Sequence, residues 1–181
     1  MKALVVYGTR GGATKEIADV IGDELGRQGY TVTVRNAKEA RGIRVEEYDL
    51  IIVGSSVFMT MWKRQAKAFL KRNEKVLSGK GVALFSSGLA GGDPALADYA
   101  RECIEKTAAK FPGIRPVALA YFGGYLDFNS KRRIDRFFGA VRKDMEQKGF
   151  DTSKPIDQRD WAAIRAWARC LTEKKLEPVA V

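Results

Sequence analysis

Three short stretches of this 181-residue chain join glycine to hydroxyl side chains directly after apolar runs: Gly8-Thr9-Arg10-Gly11-Gly12-Ala13-Thr14, Gly54-Ser55-Ser56 and Ser86-Ser87-Gly88. In the first, glycines let the backbone approach a ligand closely. A helix starting there would aim the amides of Gly12, Ala13 and Thr14 at an anion, with the Thr9 and Thr14 hydroxyls beside them. Taken alone, the same stretch is also a glycine-rich turn with a capping threonine. Other phosphate binders fit less well. A dinucleotide fingerprint needs G-x-G-x-x-G, and Gly8 and Gly11 have the wrong spacing. A nucleoside-triphosphate loop needs a hydroxyl residue after its lysine, and Lys15 is followed by Glu16. A phospho-acceptor receiver needs acidic residues where Gly8-Thr9 and Gly54-Ser55 stand.

Composition narrows the chemistry. The chain has no histidine, which excludes Ser-His-Asp triads, Cys-His pairs and imidazole metal sites. Cys103 and Cys170 are too few for a disulfide scaffold or a zinc ribbon. Reactivity must come from hydroxyls, carboxylates, lysines, tyrosines, backbone dipoles or a borrowed cofactor, and no metal is expected. A hydrophobic share of 45% with 30% charged residues describes a folded chain, not a disordered one. No run approaches the ~18 apolar residues of a membrane span, and Met1 leads straight into an apolar strand without a leader pattern, so a cytoplasmic location is expected. The 32 Lys and Arg against 22 Asp and Glu give +10, a balance that attracts anionic partners.

These loops need elements to hold them. Residues 3–7, 50–53, 82–85 and 116–122 are apolar runs of strand length, and 30–34 alternates like an edge strand. Helical spacing covers 13–27, with Gly29 as its stop, then 63–76, 95–110, 131–147 and 159–174. Non-alternating strands separated by amphipathic helices predict a parallel sheet covered on both faces. The expectation is one α/β domain over 1–181, a flavodoxin-like three-layer sandwich with a five-stranded parallel sheet in order 2-1-3-4-5. Ligands of such sheets sit beyond the carboxyl ends of the strands, which directs attention to loops 8–14, 54–62, 86–94 and 122–129. Cys103 and Cys170 are both read as core residues, and one of Trp161 and Trp167 is expected against the sheet.

Strand–T-R-x-G-x-T–helix with V-G-S-S closing the third strand resembles the flavodoxin superfamily, whose members hold FMN. The form Thr9 to Thr14, the pair Gly123-Gly124 after the fifth strand and the helix start Asp160-Trp161 are closer to the branch that includes flavodoxin-type protoporphyrinogen dehydrogenases. The resemblance implies that Thr9, Arg10, Gly11, Gly12, Ala13 and Thr14 cradle the phosphate. It implies Ser55, Ser56, Val57 and Phe58 beside the ribityl chain and one ring face. Ser86, Ser87, Gly88, Leu89, Ala90, Gly91, Gly92 and Asp93 would then lie against the pyrimidine edge, where backbone donors favour the reduced, anionic flavin. Ring stacking would fall to Phe58, Met59 or Trp62, because the third loop has no aromatic before Tyr99. The second loop has no glycine after Gly54, so the peptide flip of many flavodoxins is not expected.

Many flavodoxins are acidic, and this chain is the reverse. Lys63, Arg64, Lys67, Lys71, Arg72 and Lys75 share one helix, and Lys131, Arg132, Arg133, Arg136, Arg142 and Lys143 another, around Ile134, Phe137, Phe138, Val141 and Met145. Such faces are solvated rims or docking surfaces for an acidic, ferredoxin-type redox partner, an anionic membrane surface or a tetrapyrrole substrate. No nucleic-acid motif accompanies them. The preferred expectation is electron transfer between proteins, since the basic insert common to the dehydrogenase branch is short or missing at residues 89–94. The alternatives are a quinone-linked FMN oxidoreductase of that branch and a non-redox anion-binding module. Residues 123–157 are expected to form a rim near the flavin.

Overall fold

The computed structural model describes residues 1–58, 60–130 and 135–173. In chain order the elements are β1 (Lys2–Gly8), α1 (Ala13–Arg27), β2 (Thr31–Asn36), β3 (Leu50–Phe58), β4 (Met61–Trp62), α2 (Arg64–Leu77), β5 (Gly81–Ser87), α3 (Ala97–Ala108), β6 (Pro116–Phe122), β7 (Tyr125–Leu126), α4 (Asp135–Gln147), β8 (Ile156–Asp157) and α5 (Trp161–Glu173). The five long strands run parallel in the order β2-β1-β3-β5-β6, as the apolar runs predict. β4 adds antiparallel to β3, and β7 pairs antiparallel with β8 in a separate ribbon.

Burial explains the arrangement. β1 buries every residue after Lys2, so its two faces both need cover. On one face Ile17, Ile21 and Leu25 of α1 and Ile164, Ala168 and Leu171 of α5 pack on Val5, Ile52 and Phe85. On the other, Phe69 and Leu70 of α2 and Ile104 and Ala108 of α3 pack on Leu4, Ile51 and Leu84. Trp167 meets the sheet, edge-on to Phe122 with ring centroids 5.5 Å apart. α1 ends where Gly29 takes φ +86° and Tyr30 N–H returns to the Leu25 carbonyl at 3.1 Å, the left-handed stop expected of glycine.

Several expectations are corrected. β3 and β5 continue through Phe58 and Ser87, past the Gly-Ser stretches read as strand ends, because parallel pairing persists to Ser56 and Ser87. α3 starts at Ala97, after two short turns at 89–92 and 94–96. Cys103 is buried, but Cys170 is exposed: the buried stripe of α5 is Ile164, Ala168 and Leu171, and Cys170 lies on the opposite side of the helix. Met59, Lys131, Arg132, Arg133, Ile134 and Lys174 lie outside the described residues, as do the side chains of Arg136, Phe137 and Phe138. Among the described residues no helix is long and apolar enough to cross a membrane, and no cluster of acidic or cysteine side chains could hold a metal.

Candidate functional site

The carboxyl ends of β1, β3 and β5 open into a cavity of about 540 Å³, where this topology places ligands. Its floor is the first loop. Gly12, at φ +106°, is the N-cap of α1 and makes no side-chain cap; its N–H donates to Thr9 Oγ1 at 2.9 Å. The amides of Ala13 and Thr14 then head the helix, where no intrahelical acceptor exists for them. The site is therefore an uncapped helix start, suited to an anion. The Thr14 hydroxyl turns inward and meets Ser87 Oγ at 2.9 Å, buried, tying α1 to β5.

Parity along the strands sorts the serines. Ser55 and Ser86 are register partners, as are Ser56 and Ser87. Ser55 is fully buried; its Oγ accepts from the Lys63 N–H at 2.9 Å and donates to the Ser56 carbonyl. Ser86 Oγ accepts from Trp62 Nε1 at 2.8 Å, so Trp62 is buried and is no ring-stacking candidate. Ser56 and Ser87 line the cavity instead, and Ser56 Oγ is buried without a partner. An orphaned buried hydroxyl costs free energy unless a ligand completes it. The polyhydroxyl chain of a flavin would.

Among the sequence-predicted residues, Thr9, Arg10, Gly11, Ala13, Thr14, Ser56, Val57, Phe58, Ser87, Gly88, Leu89 and Ala90 line the cavity. Gly12, Ser55 and Ser86 stand behind it. Gly91, Gly92 and Asp93 line a neighbouring groove of about 780 Å³ between α3 and β6. That groove is larger, but it runs along β6 and α3 and is not lined by the first loop or by the end of β3. Asp93 has a structural task there: Oδ1 accepts from the Ala95 N–H, and Oδ2 pairs with Lys148 after α4.

The second wall falls largely on the loop 122–129 and the rim 123–157 expected from sequence, although none of its residues was among the predicted site residues. Thr60, Tyr99, Tyr121, Gly124, Tyr125, Leu126, Asp127, Ser130 and Val141 complete the lining. Loop 122–129 is one of the four loops that topology points to. Tyr121 could not be found that way. A bulge at Val82/Ala83 inserts one extra residue of β6, which resets which side chains of the strand face α3. Its hydroxyl lies where a Gly88 Cβ would be only 2.8 Å away, so a side chain at 88 would displace it. Burial, with Cys103 and Tyr99 nearby, pushes the Tyr121 hydroxyl well above its usual range and keeps it a neutral donor. Thr60, a β-branched residue at φ +64°, holds strained backbone at the tip between β3 and β4.

The electrostatics are positive on the side of α2. The Arg10 guanidinium lies 4.1 Å over the Phe58 ring. Burial, and then the charges of Arg10 and Lys38, push the Lys63 ammonium downward, as expected where cations crowd without a compensating acid.

The comparisons with known proteins agree with this geometry. A family model described as a flavodoxin domain matches residues 4–153. The chain is 27% identical over 174 residues to the protoporphyrinogen IX dehydrogenase [quinone] of Escherichia coli K12, covering 93% of each chain. In three dimensions it is similar to a cysteine-to-serine mutant of a Pseudomonas aeruginosa flavodoxin (TM-score 0.54, 14% identity, 93% of this chain and 99% of that one). A Lactobacillus acidophilus flavoprotein in complex with FMN aligns with TM-score 0.51 at 17% identity, over 66% and 92% of the two chains.

Proposed function

The chain belongs to the flavodoxin domain family and has its FMN-binding fold, and from that premise we propose that it is an FMN-dependent oxidoreductase of the protoporphyrinogen dehydrogenase type. It would take electrons from a reduced, anionic tetrapyrrole, whose saturated methylene bridges are what is oxidised, and deliver them to a quinone. The observation that carries this reading is the second wall. Tyr125 and Leu126 of β7 and Val141 of α4 line the cavity together with Leu89, Ala90, Tyr99 and Tyr121. A carrier needs to expose only a flavin edge to its partner, whereas an enzyme needs an apolar compartment that keeps a small substrate against the ring. The resemblance to the Escherichia coli dehydrogenase, along 93% of both chains, supports the same reading.

Each residue then has a task. The amides of Ala13 and Thr14, with Gly12 giving close approach, hold the phosphate. Ser56 and Ser87 take the ribityl end. FMN, when bound, supplies a two-electron acceptor. Arg10, Lys38 and Lys63 give the mouth a positive potential that draws in carboxylates. Tyr121 offers a hydrogen-bond donor that stays protonated throughout the physiological range.

A second reading, electron transfer between proteins, has its own observation. None of the α2 cations Lys63, Arg64, Lys67, Lys71, Arg72 and Lys75 enters an ion pair among the described residues, whereas Lys15, Arg101, Lys106 and Arg142 all pair with acids on their own helices. An unneutralised face suits docking on an acidic, ferredoxin-type protein; it also suits recruitment to the anionic membrane surface where quinones reside. A flavin-free anion-binding module has no such support. One side-by-side assay separates the two redox readings. FMN-loaded protein, porphyrinogen and quinone should give turnover well above free FMN with no protein partner added. Reduction by an acidic ferredoxin-type donor that collapses between low and high salt, without porphyrinogen turnover, would favour the carrier.

A further inference from the structure

Arg159 stands just outside the cavity and no reading of the site uses it. Its side chain is 5% exposed, rare for a guanidinium unless its donors are engaged. They are. Nε and Nη2 each reach a different Asp157 oxygen at 2.7 Å, and Nη1 reaches Glu16 Oε2 at 2.7 Å. The guanidinium carbon lies 4.5 Å from the Trp161 ring centroid and 5.2 Å from that of Tyr125. One side chain thus joins α1, β7, β8 and the start of α5.

Two physical consequences follow from that position. β7 and β8 pair over two residues each, too few to hold a ribbon by themselves, so the fork of hydrogen bonds to Asp157 and Glu16 pins the ribbon to α1. The second consequence is electrostatic. Glu16 lies in the first turn of α1, three residues and ~4.5 Å of helix rise beyond Ala13. A carboxylate there suits the helix dipole but repels a phosphate seated on the same amides. The Arg159 charge, shared between that carboxylate and Asp157, offsets one of their two negative charges and so weakens the repulsion.

We propose that Arg159 is a positioning residue for the FMN phosphate: it partly offsets the Glu16 charge at the head of α1 while fixing the β7–β8 ribbon that carries Tyr125. This rests on the phosphate lying at the α1 start. The pairing makes the phosphate site and the second wall one unit, so that a change at residue 159 is felt at a phosphate it does not touch.

The test is titration of the full-length, flavin-stripped protein with FMN and with riboflavin, which lacks the phosphate, read as the ratio of the two dissociation constants. In Arg159→Gln the preference for FMN should fall about tenfold, the effect of uncovering a unit charge near a dianion. Arg159→Lys should keep most of the preference, because the charge remains. Glu16→Gln alone should raise the preference severalfold, and Arg159→Gln with Glu16→Gln should return it towards the wild-type ratio. A wild-type ratio in folded Arg159→Gln, or equal losses for both flavins, would overturn the proposal and leave the clamp purely structural. If Arg159→Gln does not fold, the exposed Glu16→Gln variant decides, and an unchanged ratio there overturns the proposal too. Equal binding of FMN and riboflavin by the wild type is a different failure: it removes the phosphate assignment itself.

Discussion

Alternation along β3 and β5 decides which loop hydroxyls line the cavity. Both Gly-Ser stretches were legible as ligand loops, yet ending the strands at Val53 and Phe85 hid the fact that the pleat continues. Once it continues, neighbouring serines must point to opposite faces, and Ser55 and Ser86 become internal struts while Ser56 and Ser87 face the cavity. Glycines at these strand ends are equally specific. A Cβ on Gly54 would stand 2.0 Å from the Phe85 ring, so Gly54→Ala should cost on the order of 3 kcal/mol by overpacking. Urea unfolding should show it, with partial recovery when Phe85 is shortened to Leu. Tyr121 makes the pH prediction. Its folded pKa lies above the unfolded value of about 10, so its contribution is complete below that pH and is lost as alkali ionises the unfolded chain first. Tyr121→Phe should flatten the alkaline fall of stability above about pH 10 in a series of urea melts.

At the scale of elements, β1, β2, β5, β6, α1 and α2 could be read from sequence to within a residue or two, because burial on both sheet faces demands apolar runs, whereas β3 runs on to Phe58, well past the end read at Val53. The two-residue strands β4, β7 and β8 could not be read. Pairs such as Met61-Trp62 or Tyr125-Leu126 carry no period, and their pairing is set by contacts from elsewhere: Trp62 by its bond to Ser86, the β7–β8 ribbon by Arg159. Cys170 shows the same limit, since on α5 its exposure depends on which stripe meets the sheet. The element whose role is most open to test is α2. Its apolar side, Ala66, Phe69, Leu70 and Leu77, is buried, and Lys67, Lys71 and Lys75 lie off that stripe. Replacing these three lysines with Glu should leave the fold intact and FMN affinity within about twofold. It should also abolish binding to anionic vesicles at low salt, because exposed charges act over about 10 Å at 0.1 M. Unchanged vesicle binding in a sedimentation assay would remove this face from any docking role.

For the whole molecule, an uncapped helix start, a hydroxyl-lined middle and an aromatic second wall form one compartment at the carboxyl edge of the sheet. The architecture and the first loop were legible because topology and helix electrostatics place them together. The second wall was legible only as a rim over 123–157; its residues were not, because the segment returns to the cavity through a short ribbon, a helix and one buried arginine, contacts that no local pattern encodes. That wall is also what separates an enzyme from a carrier, and the separation predicts an order of events. The most direct measurement is anaerobic mixing of the FMN-loaded protein with a porphyrinogen, followed by a quinone, while the visible flavin absorbance is watched. The account predicts that the band bleaches on the first addition, in proportion to bound FMN, and returns on the second with no protein partner present. A band that stays unbleached by porphyrinogen, in protein whose FMN an acidic ferredoxin-type donor does reduce, would contradict it.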